Sequence, residues 1–443
     1  MAEYHVENFG CRANRSDGEA ISAELRQQGW LPAADFANAK VVVVNTCSVT
    51  ANADSGARAF IRRVHRHNPV VKIIVTGCYA QRAPEELVAL NGVTGVVGNS
   101  HKSLVVERVL EPTGFIPLAR LVNNVPVLVD ENFAHTDLAA LPFAEDAHQT
   151  RPNLKVQDGC ANRCGFCIIP ETRGPSRSVP LAECLASVTR FVENGGQELV
   201  LSGINLGRWG RDLNPAQKFV DLVAAIFQQT ALPRLRLSSI EPMDWTSELL
   251  ALFSAYSGRL ARHAHLPLQS GSDTILRRMY RRYRPWHYAE KLAQIRSFMP
   301  DSGIGADVMV GFPGETDKHF QESYDFIAAQ PLTYLHLFPF SARPGTPAAE
   351  LHRQQPVPAK SVQERMNAMR SLADEKKRTF RSSFLGRELD VITLRGSGAA
   401  TTPALSDNFI KVDIATVCPP NRTMRVQAAH LTETGLYALP LQQ

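Results

Sequence analysis

Membrane-length apolar runs are missing from this 443-residue chain: stretches such as Val41–Val44 and Val70–Val75 fall far short of the roughly 20 residues that span a bilayer. The opening Met-Ala-Glu-Tyr-His-Val-Glu has neither a basic start nor an apolar core, so it does not read as a secretory signal. Low-complexity tracts are absent, and the charge imbalance is small, 48 Lys and Arg against 43 Asp and Glu, or +5. These absences exclude membrane-spanning, secreted and disordered classes and predict a globular cytoplasmic protein. The slight basic excess permits a nucleic-acid partner without demanding one. Eight cysteines in a reducing compartment do not form a disulfide framework, which leaves metal binding or redox chemistry as their use.

Residues 1–115 alternate strand and helix. Tyr4–Phe9 is extended, Ser16–Gln28 has helical apolar spacing, Lys40–Val44 is a β-branched run, Ala53–His67 is helical, and Lys72–Thr76 is a third strand before a helix near Pro84. Such alternation implies a parallel sheet covered on both faces. Residues 116–145 are poor in pattern and read as a linker with one hairpin. Residues 146–376 repeat the alternation six times, with candidate strands Leu154–Gln157, Glu198–Ser202, Arg234–Ser239, His265–Leu268, Ala306–Gly311 and Tyr334–Phe338. That suits a partial (β/α)6 barrel, whose reactive groups sit at the carboxyl ends of strands, and the long amphipathic helix Ser361–Arg381 ends it. In residues 377–443 the period changes. Glu388–Leu394, Phe409–Ile414 and Thr423–His430 read as strands of a small all-β barrel. The expected fold class is α/β, with an N-terminal parallel domain, a partial barrel and a C-terminal all-β barrel.

Cys160, Cys164 and Cys167, in Cys-Ala-Asn-Arg-Cys-Gly-Phe-Cys, directly follow the first barrel strand. Three thiolates on one loop cover three corners of a [4Fe–4S] cubane, whose complete ligation by protein takes four, so one iron is left open. Zinc is the competing reading. It prefers a closed set of four, and no further Cys or His falls in the next fifteen residues. Cys11, Cys47 and Cys78 each follow a predicted strand, at intervals of one strand–helix–strand unit, and therefore converge on one sheet edge. Gly10 and Gly77 beside them allow a bulky ligand to approach the backbone. The plainer alternative is three cysteines that fill core space. Cys184, on an apolar helix face between Leu181 and Val188, reads as packing, and nothing places Cys418 near a metal.

The C-x3-C-x2-C pattern with Phe166 before its last cysteine resembles the radical S-adenosylmethionine signature. With Asn8-Phe9-Gly10-Cys11, Asn45-Thr46-Cys47-Ser48-Val49-Thr50, Thr76-Gly77-Cys78, Arg173-Gly174-Pro175-Ser176-Arg177-Ser178, Leu266-Pro267-Leu268-Gln269-Ser270-Gly271-Ser272 and Gly311-Phe312-Pro313-Gly314-Glu315-Thr316, nearly the whole chain resembles the methylthiotransferases. The last segment resembles the TRAM domain, a small RNA-binding barrel. The resemblance implies two [4Fe–4S] clusters and S-adenosylmethionine, used to replace an unactivated C–H with C–S–CH3. One S-adenosylmethionine would donate methyl to a sulfur at the Cys11/Cys47/Cys78 cluster. A second would be cleaved at the Cys160/Cys164/Cys167 cluster to abstract the target hydrogen. No catalytic side chain is implied, because cofactors carry the chemistry. Gly203, Asn205, Ser239, Glu241, Gln269 and Ser270, after the second, third and fourth barrel strands, are the candidate S-adenosylmethionine contacts.

Within the family, the chain looks closest to the subgroup acting on N6-threonylcarbamoyladenosine, by Ser48-Val49-Thr50, Gly77-Cys78-Tyr79-Ala80-Gln81 and Ser238-Ser239-Ile240-Glu241-Pro242. The implied product carries methylthio on C2 of that base, next to the anticodon of tRNA. The implied partners are the tRNA anticodon stem-loop, an electron donor and a sulfur source, with no membrane. The same chemistry on N6-isopentenyladenosine or on a ribosomal-protein aspartate stays open, as does a zinc-stabilised RNA-binding protein without catalysis. Ile275–Arg284 offers five arginines with interleaved tyrosines, of which Arg277, Arg278, Arg281 and Arg282 are candidate RNA contacts. Arg58, Arg62, Arg63 and Arg66 read as a solvated helix face. Residues 384–443 hold five basic and five acidic residues, fewer net positive charges than a dedicated RNA barrel would carry.

Overall fold

The computed structural model describes residues 2–110, 121–123, 125–133, 150–396 and 400–441. Much of the predicted linker, with Pro117 and Pro142, lies outside them. The chain divides into two compact units, one of Met1–Glu145, Gln157–Val179 and Ser341–Ala349, the other of Asp146–Val156, Pro180–Phe340 and Glu350–Gln443.

The first unit is built on a sheet of β1 (Glu3–Asn8), β2 (Leu31–Pro32), β3 (Val41–Thr46), β4 (Lys72–Gly77), β5 (Val93–Gly98), β6 (Leu121–Val122) and β7 (Val125–Leu128), in the order β2-β1-β3-β4-β5-β7-β6. Its pairings are parallel except for the β6–β7 hairpin. Val41–Val44 can be apolar on both faces because both are covered: Val42 and Val44 pack toward Phe60, Ile61 and Val64, while Val41 and Val43 pack toward Ile21 and Leu25. The helix Ala51–His67 starts where Thr50 accepts a hydrogen bond from the Ala53 N–H, and ends with His65, Arg66 and His67 on its negative pole. Strand β5 was not anticipated. Two glycines dilute its β-branched pattern.

In the second unit, β8 (Asn153–Asp158) lies beside β10 (Glu198–Gly203) in the sheet, and its last two residues, already in the first unit, pair antiparallel with β9 (Arg177–Ser178). After β10, β11 (Arg234–Leu237), β12 (His263–Gln269), β13 (Gly303–Val310) and β14 (Tyr334–Pro339) follow, with helices between them. β10 pairs with β11, and β12 with β13 and β14; bridges at Leu235–Leu260 and Ser239–His265 join the two sheets into the partial six-stranded barrel. Helix Ala359–Ser382 leads to a closed barrel of β15 (Glu388–Thr393), β16 (Thr402–Ser406), β17 (Lys411–Ile414), β18 (Thr423–Leu431) and β19 (Leu436–Pro440), ordered β15-β16-β17-β19-β18. Its core is Leu389, Val391, Val412, Ile414, Val426 and Leu436.

The small barrel is anchored to the amino ends of the large barrel's strands. Between β16 and β17, Asp407-Asn408-Phe409 turns inward. Phe409 stacks on His263 at 4.3 Å and lies against Tyr334, and Arg236 donates to the carbonyls of Ser406 and Asp407. Arg236 also donates to Glu198 at 2.8 Å, with Arg151 on the same carboxylate oxygen at 2.6 Å. Burial pushes the Glu198 carboxyl upward, but Arg236, Arg151 and Arg234 override it and hold the pKa down at about 2.

A carboxylate with a depressed folded pKa stabilises the fold fully above its unfolded value of 4.5, and the contribution is lost as pH falls toward 2. That window is worth about 3 kcal/mol. Chemical denaturation between pH 5 and pH 2 should show this loss, and Glu198→Gln should flatten it while lowering stability at pH 7. An unchanged slope in the variant would assign the acid sensitivity elsewhere.

Candidate functional site: two cysteine trios in one unit

Strands β1, β3 and β4 are neighbours, and their carboxyl ends are in register: Asn8 faces Asn45, and Thr46 faces Gly77. Cys11, Cys47 and Cys78 begin where these strands stop, so the three thiols gather along one edge. Cys47 and Cys78 are buried and Cys11 is exposed. Burial raises the Cys47 pKa, and its neighbours Cys78 and Cys11 raise it further, to about 12. A cationic core among them would remove this repulsion. N–H groups point at the sulfurs, Val49 N–H at Cys47 Sγ (3.5 Å) and Asn99 Nδ2 at Cys78 Sγ (3.4 Å), as suits thiolate ligands.

Gly10 has φ +92°, and a Cβ there would stand 2.3 Å from the Cys47 Cβ and 2.4 Å from its Sγ. Gly77 has φ +97°, and a Cβ would meet the Thr46 carbonyl at 2.2 Å. Both glycines are demanded by the packing of the trio. Beneath it, Asn14 Nδ2 donates to the carbonyls of Phe9 (2.8 Å) and Thr46 (2.7 Å), tying two of the three loops together.

The second trio lies on the loop after β8, with all three cysteines half-buried. Gly159 N–H bonds Asp158 Oδ1 at 2.8 Å, Cys160 N–H bonds the Gly174 carbonyl at 3.1 Å, and Cys167 N–H bonds the Cys164 carbonyl at 3.0 Å. Gln157 Nε2 closes the loop onto Ser176 Oγ at 2.9 Å. From the far end of the barrel sequence, Ala348 N–H reaches the Gly165 carbonyl at 2.8 Å, and Arg343 Nη1 reaches Asp54 at 2.7 Å.

The helix Ile169–Arg173 follows Cys167, and its last residue is fully buried. Arg173 Nη1 bonds both oxygens of Asp158 (2.8 and 2.9 Å), and Nη2 bonds Asn14 Oδ1 (2.5 Å) and Asp17 Oδ2 (2.9 Å). Removing one partner from such a buried pair costs about 3–5 kcal/mol. Arg173 stands in the motif Arg173-Gly174-Pro175-Ser176-Arg177-Ser178, where no role for it is legible, since its partners Asn14 and Asp17 lie about 160 positions away.

A zinc ion bonded at about 2.3 Å would draw tetrahedral thiolates to within about 3.8 Å of one another. Among the described residues, the three-ligand set whose donor atoms all lie within 4.8 Å is His265, Asp307 and His336, and neither cysteine trio is that tight. N–H groups directed at the sulfurs of Cys47, Cys78 and Cys160 suit a cubane, which spreads its thiolates over separate irons. His265, Asp307 and His336 were not singled out from sequence. They come from β12, β13 and β14, whose register places Asp307 opposite His336. Burial pushes the Asp307 carboxyl upward, but hydrogen bonds to His265 and His336 hold it well below the carboxylate range.

The remaining predicted residues divide. Gly203 ends β10, Asn205 is buried before the turn Leu206–Arg208, and Gln269 ends β12 at φ +68°. Ser239 bridges to His265. Ser270 Oγ is engaged by Ser323 Oγ at 2.8 Å, a packing contact. Arg277, Arg278 and Arg282 are exposed. Arg281 is a correction: it is buried, with Nη2 on Glu241 at 2.5 Å, so it faces inward and Glu241 is its counter-ion. The cause is the helix end. Tyr280 N–H bonds the Arg277 carbonyl and Arg281 N–H the Leu276 carbonyl, a Schellman closure with Tyr280 left-handed at φ +57°, which turns the next side chain inward. Tyr280 and Trp286 are each 57% exposed, and Trp286 had not been singled out.

A partial six-stranded barrel with a three-cysteine loop after its first strand defines the class, a radical S-adenosylmethionine enzyme. Residues 154–327 match the Radical SAM superfamily, and residues 3–98 match the family described as Uncharacterized protein family UPF0004. The chain is 35% identical over 397 residues to the threonylcarbamoyladenosine tRNA methylthiotransferase MtaB of Bacillus subtilis, covering 88% of this chain and 85% of that one. It is 33% identical to the tRNA-2-methylthio-N(6)-dimethylallyladenosine synthase of Acidothermus cellulolyticus, over 89% and 78% of the two chains. The structure of the radical S-adenosylmethionine methyltransferase TsrM from Kitasatospora setae shares the fold, with a TM-score of 0.58 at 16% identity over 80% of this chain and 76% of that one. The chain belongs to the radical SAM methylthiotransferase family. Such an enzyme uses S-adenosylmethionine and iron–sulfur chemistry. Among the described residues, no helix is long and apolar enough to cross a membrane.

Gly10→Ala should crowd the Cys47 side chain and lower the iron that the chain takes up. Reconstituted anaerobically, the variant should hold less iron per chain than the parent. Equal iron in both proteins would show that the Gly10–Cys47 contact does not govern loading.

Proposed function

We propose that this enzyme transfers a methylthio group to C2 of N6-threonylcarbamoyladenosine next to the anticodon of tRNA, with one [4Fe–4S] cluster on Cys160, Cys164 and Cys167 and another on Cys11, Cys47 and Cys78. The observation that carries the reading is the gathering of six thiols into two three-sided sets within one unit. With a fourth corner free on each, the clusters would supply radical generation at one site and sulfur delivery at the other. The chain's own groups hold the thiols: the strand register sets their spacing, Gly10 and Gly77 let them approach, and Asn14 and Asn99 fix the loops. The base assignment is supported by the names of relatives such as that of Bacillus subtilis.

RNA contact is supported by Arg277, Arg278, Tyr280, Arg282 and Trp286, all exposed within one short stretch. Arginines meet phosphates, and splayed bases stack on rings. Tyr280 occupies a left-handed position where glycine is normal, a conformation that costs a residue with a side chain about 1–2 kcal/mol. Tyr280→Gly should therefore raise the melting temperature while weakening anticodon stem-loop binding several-fold. Unweakened binding would remove Tyr280 from the RNA surface.

Nucleoside mass spectrometry of a deletion strain tests the substrate. Loss of 2-methylthio-N6-threonylcarbamoyladenosine with intact methylthio-isopentenyladenosine is expected; the reverse pattern, or loss of a ribosomal-protein methylthio mark alone, would overturn it. In purified enzyme, Cys47→Ala should keep S-adenosylmethionine cleavage and lose sulfur insertion, whereas Cys164→Ala should lose both. Equal losses in the two variants would count against separate roles.

A further inference from the structure

Arg173 is the charged group that ties the two trios together. It leaves the helix that begins after Cys167, and its guanidinium is shared between Asp158, two residues before Cys160, and Asn14 and Asp17, three and six residues after Cys11. Asn14 Oδ1, its 2.5 Å partner, also stands 4.0 Å from Cys78 Sγ. A parallel strap runs beside it: Asn99 Nδ2 donates to the Thr172 carbonyl at 2.7 Å and to Cys78 Sγ at 3.4 Å. The Arg173 side chain is 0% exposed, so solvent does little to screen its charge.

We propose that Arg173 is a positioning residue whose buried positive charge sets the reduction potential of the cluster on Cys11, Cys47 and Cys78, holding it above the value the thiolates alone would give. The inference rests on the two-cluster reading. A cluster gains negative charge on reduction, so a fixed cation beside its ligands favours the reduced form. Electrostatics agree in kind. Burial opposes the guanidinium's charge, but Asp158 and Asp17 hold it protonated. Its field is tempered by Asp17, which Lys102 also engages at 2.5 Å. The two residues therefore act in opposite directions: loss of Arg173 lowers the potential, and loss of the Asp17 charge raises it.

The test is an EPR-monitored redox titration of the full-length chain bearing Cys160→Ala, Cys164→Ala and Cys167→Ala, reconstituted so that the first trio alone carries a cluster. Arg173→Gln should lower the reduced-to-oxidised ratio at fixed potential at least tenfold, a shift of about 59 mV for one electron, and Arg173→Lys should recover most of it. Asp17→Asn should shift the ratio the other way. It leaves Arg173 held by Asp158 and Asn14, so it decides the matter should Arg173→Gln not fold. Shifts of the same sign, or none in proteins with full iron content, would overturn the proposal. Absence of iron from the three-alanine parent would instead sink the two-cluster reading on which it stands.

Discussion

Three thiols drawn from three different loops can grip one inorganic core only if the backbone delivers them to the same place, and here the parallel register of β1, β3 and β4 does so. Each strand ends within a residue or two of its neighbour, so each following cysteine emerges on the same edge. A slip of one position would turn a thiol to the other face of its strand. The glycines at positions 10 and 77 belong to the same constraint. Any side chain at residue 10 would occupy the space of Cys47 itself.

The second trio needs no such convergence, since three cysteines on one loop are neighbours by sequence. It needs immobilisation. That comes from hydrogen bonds around the loop, from Gly165 held by Ala348, and from Arg173, which joins Asp158 to the helix that carries Asn14 and Asp17. Segments 157–179 and 341–349 fold with the N-terminal residues rather than with the barrel sequence that flanks them. Both sets of thiols thereby belong to one body.

A different economy operates in the second unit. The small barrel has no excess positive charge, and one of its turns is used for anchorage: Asp407-Asn408-Phe409 caps the barrel's amino ends through Arg236, Arg262, His263 and Tyr334. A buried cation would be costly there without Glu198, and a buried carboxylate would be costly without its arginines. The exposed arginines and aromatics at Arg277–Trp286 lie instead on the radical-enzyme portion of the chain, which fits a neutral C-terminal barrel.

Sequence alone determined the elements whose signals are local. The β-branched run at Val41, the helix that follows Thr50, the six strand–helix repeats and the change of period beyond residue 382 are written in neighbouring residues, and the cysteine spacings follow from them. Strands β5, β16 and β19 escaped because glycine, proline or a short length blurs their pattern. Only the tertiary structure decided the rest. Arg281 and Arg282 are adjacent in sequence, yet a left-handed Tyr280 turns one into the core and leaves the other in solvent. Arg173, Asn14 and Asp17 became one network because a chain folded in three dimensions brings together charges that no window of sequence contains. Burial makes those charges matter, and burial is a property of the packed molecule, not of its letters.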